Sequence, residues 1–337
     1  MTDALPLDPR AEARTEWTRA ALGDPQASPV RASTDAGFRS YWRVATSNGT
    51  RIVMDSPPDL EDVRPWLRIR MLLEAGGVRV PRVLREDADA GFLLLEDLGT
   101  DTYLHVIDDG NADDLFDAAI TQLLRLQAIP PPADLPIYHE ALLARELRLF
   151  DDWFCGRHLG LALDCSDLEA LDGAYRVLID SALAQPQVLV HRDFMPRNLM
   201  PAADGPAVLD FQDAVRGPIA YDALSLFKDA FLSWPEDRVD GWLAHYRARA
   251  AQAGLTVPEL ARFRRDGDLI GVQRHLKVIG IFARLHHRDG KPKYLTDVPR
   301  FFAYLDAVVP RHPELAGLQR VLERTVKPAI ARLAESP

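Results

Sequence analysis

The sequence predicts an α+β fold of two lobes, a small β-rich lobe over residues 1–98 and a larger, mainly helical lobe over residues 99–337. Short segments rich in β-branched and aromatic residues dominate the first part. After Gly99 the pattern changes to long segments with helical periodicity. The 337 residues are sufficient for a hydrophobic core in each lobe.

The first lobe is predicted to contain two helices and four strands. Trp17, Ala20 and Ala21 are the expected buried face of the first helix. The pair Asn48-Gly49 is typical of a tight hairpin turn, and Gly76-Gly77 is a helix stop signal. In chain order the predicted elements are helix 9–22, strands 37–46 and 50–58, a helix in the later part of 59–75, and strands near 80–85 and 91–96.

The second lobe is predicted to be built from helices and one small hairpin. The Pro-rich stretch 129–136 is expected to be a loop. Two short apolar runs, 187–190 and 206–211, are expected to pair as a hairpin. The predicted helices cover 113–128, 139–154, 167–184, 219–233, 236–252, 258–266, 268–288 and 315–334.

Composition excludes several classes of function. Forty Lys and Arg against fifty Asp and Glu give a formal charge of −10, which argues against nucleic acid or an anionic membrane as the partner. Cys155 and Cys165 lack the spacing of a zinc site or a disulfide framework. There is no signal-peptide pattern and no apolar run of about 18 residues. A cytoplasmic protein, monomeric or weakly homodimeric, is therefore expected.

One constellation of residues indicates chemistry. In LVHRDFMPRNLM, residues 189–200, an apolar run leads into His191, Arg192 and Asp193, and Asn198 is the fifth residue after Asp193. The second apolar run ends in Asp210, within LDFQDA. Phosphoryl transfer from a nucleotide needs a carboxylate near the acceptor hydroxyl and hard oxygen ligands for Mg²⁺. The pattern H-R-D-x-x-x-x-N followed by D-F is the signature of a kinase-like catalytic loop. A solvated loop beside a structural hairpin is the alternative.

On these motifs the chain resembles the aminoglycoside phosphotransferase and choline kinase-like family over nearly its whole length. The strings 189–200, 209–231 and 274–295 are most similar to bacterial anomeric kinases, which phosphorylate N-acetylmuramate and N-acetylglucosamine at C1. The resemblance implies a bilobal protein-kinase-like fold, with a nucleotide-binding first lobe and a catalytic, sugar-binding second lobe. It also implies ATP and Mg²⁺, and a role in peptidoglycan recycling.

The resemblance also implies roles for the motif residues. Asp193 would be the catalytic base, and Asn198 and Asp210 would be Mg²⁺ ligands. His191 and Arg192 would brace the loop. Asp222 would cap backbone donors around it.

The resemblance places ATP against the first lobe. Backbone groups around Glu96, Asp97 and Leu98 would meet adenine, and Ser33 and Thr34 would lie near phosphate. Two departures from the family pattern occur: the phosphate-covering loop 33–41 has a single glycine, and the strand that should carry the phosphate-clamping lysine has Met54 instead. Arg43 or Arg51 is the candidate for the missing charge; exposed strand residues are the alternative for both.

Sugar-binding residues are expected after the motif and on one later helix. Gln212 and Asp213 are candidates for hydrogen bonds to the sugar or its acetamido group, with turn capping as the alternative. Arg274, Lys277 and Arg284 share one helix face, which suits the lactyl carboxylate of a muramic acid. Solvated or salt-bridged surface is the alternative there. Trp153 is a candidate to stack on the pyranose, with a core position as the alternative.

Two rival functions stay open from the sequence. A kinase for another hydroxyl compound, of the aminoglycoside, choline or homoserine type, is favoured by the acidic overall charge. The cationic face at 274–284 disfavours it. A pseudokinase-like nucleotide-binding module is favoured by the absent strand lysine and disfavoured by the intact Asp193, Asn198 and Asp210.

Overall fold

The computed structural model describes residues 8–34 and 38–335, and the chain forms two compact units. The first unit contains the described residues up to Thr102 together with Leu199–Gln212. The second contains Tyr103–Asn198 and the chain from Asp213 onward. Each unit is therefore assembled from parts of the chain that are distant in sequence.

The first unit contains a five-stranded antiparallel sheet in the order β1-β2-β3-β5-β4. The hairpin predicted around Asn48-Gly49 is confirmed, and Gly49 has the positive φ of 100° that this turn needs. The edge strand β1 was not predicted, because VRAST is polar and lacks period-two apolar residues. The elements are α1 (Ala11–Leu22), β1 (Val30–Thr34), β2 (Ser40–Thr46), β3 (Gly49–Asp55), α2 (Arg64–Ala75), β4 (Val83–Asp87) and β5 (Phe92–Glu96).

The buried face of α1 differs from the prediction. Arg14 and Thr18 are buried, whereas Ala20 is exposed. The Arg14 guanidinium lies 3.5 Å from the ring centroid of Trp42 and donates to Asp55 Oδ2 at 2.9 Å. Trp17 packs against the core as predicted. The prediction was wrong at Ala20 and missed Arg14 because it counted only apolar side chains, and a paired, ring-stacked guanidinium can also be buried.

The second unit is mainly helical. Its α-helices are α3 (Tyr103–Val106), α4 (Ala112–Ala128), α5 (Glu140–Leu149), α6 (Cys165–Ala184), α7 (Ala220–Phe227), α8 (Glu236–Gln252), α9 (Leu260–Asp289), α10 (Val298–Val308), α11 (Ala316–Val321) and α12 (Lys327–Glu335). π-helical segments cover Phe150–His158 and Leu322–Val326. 3₁₀ turns cover Pro196–Asn198, Pro292–Asp297, Val309–Arg311 and Pro313–Leu315.

Three helix predictions need correction. The helix predicted over 219–233 ends at Phe227. The helices predicted at 258–266 and 268–288 are one continuous helix, α9. Gly267 does not break it; a Cβ at this position would lie 3.0 Å from Leu224 Cδ2, so the glycine lets the helix pack closely there. The helix predicted over 139–154 is α-helical only to Leu149 and continues as the π-helical segment to His158.

The predicted hairpin between 187–190 and 206–211 is wrong. The strand β6 (Gln187–Val190) pairs with β9 (Val215–Pro218), and β7 (Leu199–Met200) pairs with β8 (Ala207–Val208). The apolar run at 206–211 cannot form one strand to its end, because Asp210 has a φ of 61°. The two short ladders fix the ends of the loops that carry the sequence motif.

Among the helices of the described residues, none is long and apolar enough to cross a membrane.

Candidate active site

The loop after β6 is held by one buried carboxylate. The backbone amides of His191 and Arg192 donate to Asp222 Oδ2 and Oδ1 at 2.7 and 3.0 Å. Arg192 has a φ of 78°, a conformation that costs energy for a non-glycine residue and persists only when its surroundings enforce it. Asp222 lies fully buried in α7, and this burial raises its pKa to about 7.

Asp193 is fixed through its backbone. Its amide donates to His191 Nδ1 at 3.2 Å, and its carbonyl oxygen accepts from Asn198 Nδ2 at 2.9 Å. His191 is fully buried, whereas the Asp193 side chain is half-buried. The loop therefore presents the Asp193 carboxylate from a rigid backbone. His191, Arg192 and Asp222 surround that backbone.

A second buried carboxylate, Glu146 of α5, contacts both Arg192 of this loop and Lys277 of α9. Its Oε1 lies 2.5 Å from Arg192 Nη2 and 3.2 Å from Lys277 Nζ, and its Oε2 accepts from the Tyr138 hydroxyl. Lys277 also donates to the Tyr221 hydroxyl at 3.1 Å. Burial alone would raise the pKa of Glu146, but Lys277 and Arg192 hold the pKa below its usual value.

The cations predicted on α9 fall into different environments. Arg274 and Lys277 are buried, so a solvated surface does not describe them. Arg274 Nη1 donates to the carbonyl oxygen of Lys228 at 3.2 Å. Arg284 is half-buried, and its pKa is lowered by burial and by Arg288. Lys277 thus contacts the network around Arg192, and Arg274 contacts the end of α7.

Asp229, beside that end of α7, was missed by sequence reasoning. It is fully buried; Oδ2 accepts from the Phe231 amide at 3.0 Å, and within the described part of the chain Oδ1 has no hydrogen-bond partner. Burial raises its pKa, against the opposing charge of Arg274. An acceptor of this kind, next to a buried guanidinium, can take a hydrogen bond from a polar ligand.

Trp153 lies in the π-helical segment Phe150–His158 and is half-buried. Gln212 and Asp213 follow Asp210 in the chain, but they differ in environment. Gln212 Nε2 donates to Asp210 Oδ1 at 2.9 Å, whereas Asp213 is exposed. The Gln212 contact places one candidate sugar ligand directly against the candidate metal ligand.

In the first unit, Asp210 follows β8 on an anchored segment. The Val208 amide donates to the Arg79 carbonyl oxygen at 2.8 Å, and the Phe211 ring packs against Trp66 at 5.1 Å between centroids. The Asp210 side chain remains 37% exposed. The positive φ of Asp210 turns the chain between these two anchors.

Arg39 supplies a positive charge beside Asp210 that sequence reasoning did not assign. Its Nη2 lies 3.6 Å from Asp210 Oδ1, and its Nε lies 3.2 Å from Glu61 Oε1. The Arg39 side chain is only 6% exposed. The signal in the sequence was an arginine in the alternating run that leads into β2. The alternation of side chains placed Arg39 on the same face of the strand as Arg43. It could not show that Arg39 is buried beside Asp210 and that Arg43 pairs with Asp97.

Arg43 is bound to the predicted hinge. Its Nε and Nη2 donate to the Asp97 carboxylate at 2.5 and 3.0 Å, and Nη2 also donates to the Gly99 carbonyl oxygen at 2.8 Å. Burial acts to raise the pKa of Asp97, but Arg43 and other donors hold it below its usual value. The structure thus brings Arg43 and Asp97 together.

The remaining candidates for nucleotide binding are Glu96, Leu98, Ser33 and Thr34, and no contact joins them to Arg43 or Asp97 among the hydrogen bonds described above. Glu96 pairs with Arg79 and accepts from the Arg82 amide at 2.8 Å. Leu98 is half-buried and Ser33 is exposed. The side chain of Thr34 and residues 35–37 lie outside the described residues.

Asn198 and Asp210 fit the role of Mg²⁺ ligands. Both offer the hard oxygen atoms that Mg²⁺ prefers. Asn198 uses its amide nitrogen for the bond to the Asp193 carbonyl, so its Oδ1 is not used in that bond. Asp210 keeps its carboxylate partly exposed.

Comparison with known proteins decides the family. Residues 30–265 match the model of the phosphotransferase enzyme family. The chain belongs to this phosphotransferase family. It is 51% identical over 326 residues to an N-acetylmuramate/N-acetylglucosamine kinase of Pseudomonas putida, a match that covers 94% of this chain and 96% of the relative. A kinase of the same name from Pseudomonas aeruginosa is 52% identical over 299 residues, 88% of each protein.

Solved structures show the same fold for this phosphotransferase. The ADP-bound aminoglycoside phosphotransferase APH(2'')-Ib has a TM-score of 0.59 at 16% identity, covering 88% of this chain and 98% of that one. Choline kinase LicA from Streptococcus pneumoniae has a TM-score of 0.58 at 14% identity, with the same coverage. The predicted family and the bilobal kinase-like fold class are therefore confirmed, and the chain is an ATP-dependent phosphotransferase that acts on a hydroxyl group.

Proposed function

We propose that this chain transfers the γ-phosphoryl group of ATP to the C1 hydroxyl of N-acetylmuramate and N-acetylglucosamine. Support comes from the two Pseudomonas relatives, which carry these sugars in their names and match most of the chain. The structural observation that carries the proposal is the braced loop, in which Asp222 and Asn198 fix the backbone that presents Asp193. A cytoplasmic role in peptidoglycan recycling belongs to the same proposal.

In this reaction Asp193 orients the C1 hydroxyl and accepts its proton. The hydroxyl oxygen forms a bond to the γ-phosphorus, the bond from that phosphorus to the β,γ-bridging oxygen breaks, and ADP leaves with the electron pair. An anomeric hydroxyl is more acidic than an ordinary alcohol, so the demand on the base is modest. Positioning and charge neutralisation therefore carry most of the rate. Asn198 and Asp210 would each offer an oxygen ligand to Mg²⁺, which when bound would supply positive charge at the phosphates.

On the nucleotide side, Arg39 takes the place of the absent strand lysine. Kinases hold the phosphates with a lysine that is itself paired to a glutamate. The Arg39–Glu61 pair offers the same combination of a buried cation and an acid, next to Asp210. Arg43 holds the hinge through Asp97, and the backbone of Glu96, Asp97 and Leu98 meets adenine. Ser33 and Thr34 complete the phosphate side.

On the sugar side, Arg274 is the partner for the lactyl carboxylate of N-acetylmuramate. It is a buried guanidinium, and such a group binds a planar carboxylate strongly. Asp229 Oδ1 is an acceptor for a sugar hydroxyl or the acetamido N–H. Lys277 keeps Arg192 and Glu146 in place beside the sugar. Gln212, Asp213, Trp153 and Arg284 remain candidates for further sugar contacts.

Release of ADP with a panel of acceptors tests the proposal. We expect turnover with N-acetylmuramate and N-acetylglucosamine and none with kanamycin, choline or homoserine. The product's phosphorus NMR signal should couple to the anomeric proton. Asp193→Asn and Asp210→Asn should lower turnover by orders of magnitude, whereas Asp180→Asn, an exposed position on α6, should not.

Three outcomes would overturn the proposal. Turnover with kanamycin, choline or homoserine in place of the amino sugars would assign another acceptor. Phosphate on a different hydroxyl would refute the anomeric site. Failure to bind Mg²⁺-ATP by calorimetry would favour the pseudokinase alternative.

A further inference from the structure

Three histidines meet where the π-helical segment Phe150–His158 ends against the last turns of α9. They are His158, His286 and His287, and one ring nitrogen of each can be chosen so that all three lie within 4.8 Å of one another. His158 Nδ1 is 3.3 Å from His287 Nε2. These residues belong to the second unit, and none of them is among the residues assigned to phosphotransfer.

The local fold explains why the histidines meet. A Cβ on Gly280 would lie 2.3 Å from the Leu149 carbonyl carbon, so only glycine lets α9 approach the start of the π-helical segment this closely. From that crossing the two elements run on to His158 and to the His286-His287 pair. A π-helix has more residues in each turn than an α-helix, because its hydrogen bonds join residues i and i+5. π-helical turns occur frequently at functional sites.

The separations suit a transition-metal ion. With zinc–nitrogen distances of about 2.0–2.1 Å, two ligands of a tetrahedral site are about 3.3–3.4 Å apart. The His158–His287 pair already has this separation, and the chosen ring nitrogen of His286 lies within 4.8 Å of both. Within the described residues, His286 Nδ1 is buried without a hydrogen-bond partner.

At His158 and His287 the electrostatic surroundings favour the neutral imidazole, which is the form that binds metals. Burial and the neighbouring histidines lower the pKa of His158, and burial, His286 and Arg157 lower that of His287. Arg157 also opposes a bare cation. The open fourth position therefore suits an anion such as hydroxide or chloride, which reduces the net charge of the complex.

We propose that His158, His286 and His287 bind one Zn²⁺ ion, which ties the end of the π-helical segment to the end of α9. Three imidazoles form a borderline-soft ligand set, which Mg²⁺ does not prefer. The site therefore differs in chemistry from the proposed magnesium ligands of the phosphotransfer reaction.

Calorimetry with ZnCl₂ tests this on the full chain, produced without a polyhistidine tag, stripped of metal and kept in excess Mg²⁺. We expect one Zn²⁺ per chain. Each of His158→Ala, His286→Ala and His287→Ala should weaken binding by more than the roughly 10- to 100-fold that loss of an outer-shell partner costs. His245→Ala is the matched control, since this exposed histidine pairs with Asp117 on α4 and should leave binding unchanged.

Two further readouts separate a metal site from a hydrogen-bonded histidine cluster. Co²⁺ in the wild-type chain should give the intense visible absorption of tetrahedral nitrogen coordination, and Zn²⁺ should raise Tm. Both effects should be absent in His158→Ala, whose Tm without metal shows that it folds. Equal Zn²⁺ affinity in wild type and His158→Ala, or no Zn²⁺ binding by the wild type, would overturn the proposal.

Discussion

Asp222 is buried beneath the loop that carries Asp193, and it accepts hydrogen bonds from two consecutive backbone amides. Its pKa is raised to about 7 by burial, from the ordinary value of 3.8. Between those values the folded chain holds a proton that the unfolded chain has released. The stability that this group contributes is therefore fully present below about pH 4 and is lost as the pH rises through about 7.

Asp222→Asn should remove this pH dependence and lower stability throughout. Asparagine has one acceptor oxygen for two backbone donors, so one amide loses its partner, and the strained backbone of Arg192 loses support. Urea unfolding at pH 5, 6, 7 and 8 measures the effect. The free-energy gap between wild type and variant should shrink as pH rises; a gap that stays constant or widens would contradict the assignment.

The pKa of Glu146 is shifted in the opposite direction to that of Asp222, so its contribution to stability depends on pH in the opposite way. Lys277 and Arg192 hold its pKa below the ordinary 4.5, so its stabilisation is present above about pH 4.5 and is lost as the pH falls through the lowered pKa. Glu146→Gln leaves the buried Lys277 and the half-buried Arg192 without their carboxylate, which should cost about 3–5 kcal/mol of unfolding free energy. Glu140→Gln, exposed on the same helix, should cost almost nothing. Urea unfolding at pH 7 compares them, and similar losses in both variants would refute the role of Glu146.

The role proposed for Arg39 rests on its contact with Asp210 and not on a sequence motif. Arg39→Ala should raise KM for ATP and lower kcat, together by more than about tenfold, because the buried cation that is proposed to lie beside the phosphates is lost. Arg39→Lys should recover part of the loss. Arg51→Ala is the control. Arg51 was, with Arg43, a candidate from the sequence for the missing charge, and its side chain donates to the Thr50 carbonyl oxygen. A larger defect in Arg51→Ala than in Arg39→Ala would reverse the assignment.

At the scale of elements, the sequence predicted the long periodic helices and the first hairpin, because both signals are local. Helices α4, α6 and α8 lie within a residue or two of the predicted bounds. Strand partners were not predictable in the same way. Nothing within QVLV specifies that it pairs with Val215–Pro218, and that choice depends on tertiary packing. The π-helical segment was also missed, because it continues α5 without interruption and no local sequence signal marks the change.

The same distinction holds for the candidate site. Asp193 and Asn198 share one loop, so their spacing in the sequence was enough to select them as candidates. Glu146, Asp229 and Arg39 reach their positions through contacts between distant segments, and no local spacing marks them. The nearest signal for Glu146 was its place between Leu143 and Leu147 on a buried helix face.

Gly280 tests the packing of α9 against the π-helical segment. In a free helix, alanine is favoured over glycine by up to about 1 kcal/mol. Gly280→Ala should nevertheless destabilise the chain, because its Cβ would meet the Leu149 backbone at 2.3 Å. Gly241→Ala in α8 is the matched control, since nothing lies within 4 Å there, and it should stabilise by about 0.5–1 kcal/mol. Thermal unfolding compares the two, and stabilisation by both would show that the approach is looser than described.

At the scale of the molecule, a chain with a net charge of −10 concentrates buried cations where anionic substrates are proposed to bind. Arg39 lies in the first unit, and Arg274 and Lys277 lie in the second. Net charge alone therefore does not indicate the charge of the ligand. A buried cation attracts a nearby anion strongly, whereas distant carboxylates on the surface are screened by salt and repel it only weakly. The acidic total had kept cationic acceptors such as aminoglycosides open as an alternative. The buried arginine of α9 favours an anionic sugar instead.

Hydrogen–deuterium exchange with one substrate at a time tests how the proposed binding is divided between the units. The inactive variant Asp193→Asn prevents turnover and keeps the backbone contacts of the loop. Mg²⁺-ATP should slow amide exchange in β2 and at Glu96–Gly99 of the first unit. N-acetylmuramate should slow exchange around Asp229 and along α9 near Arg274. N-acetylglucosamine, which lacks the lactyl carboxylate, should protect Asp229 but have a smaller effect at Arg274. Equal protection of α9 by both sugars would contradict the role of Arg274, and protection of the first unit alone by either sugar would refute the proposed sugar site.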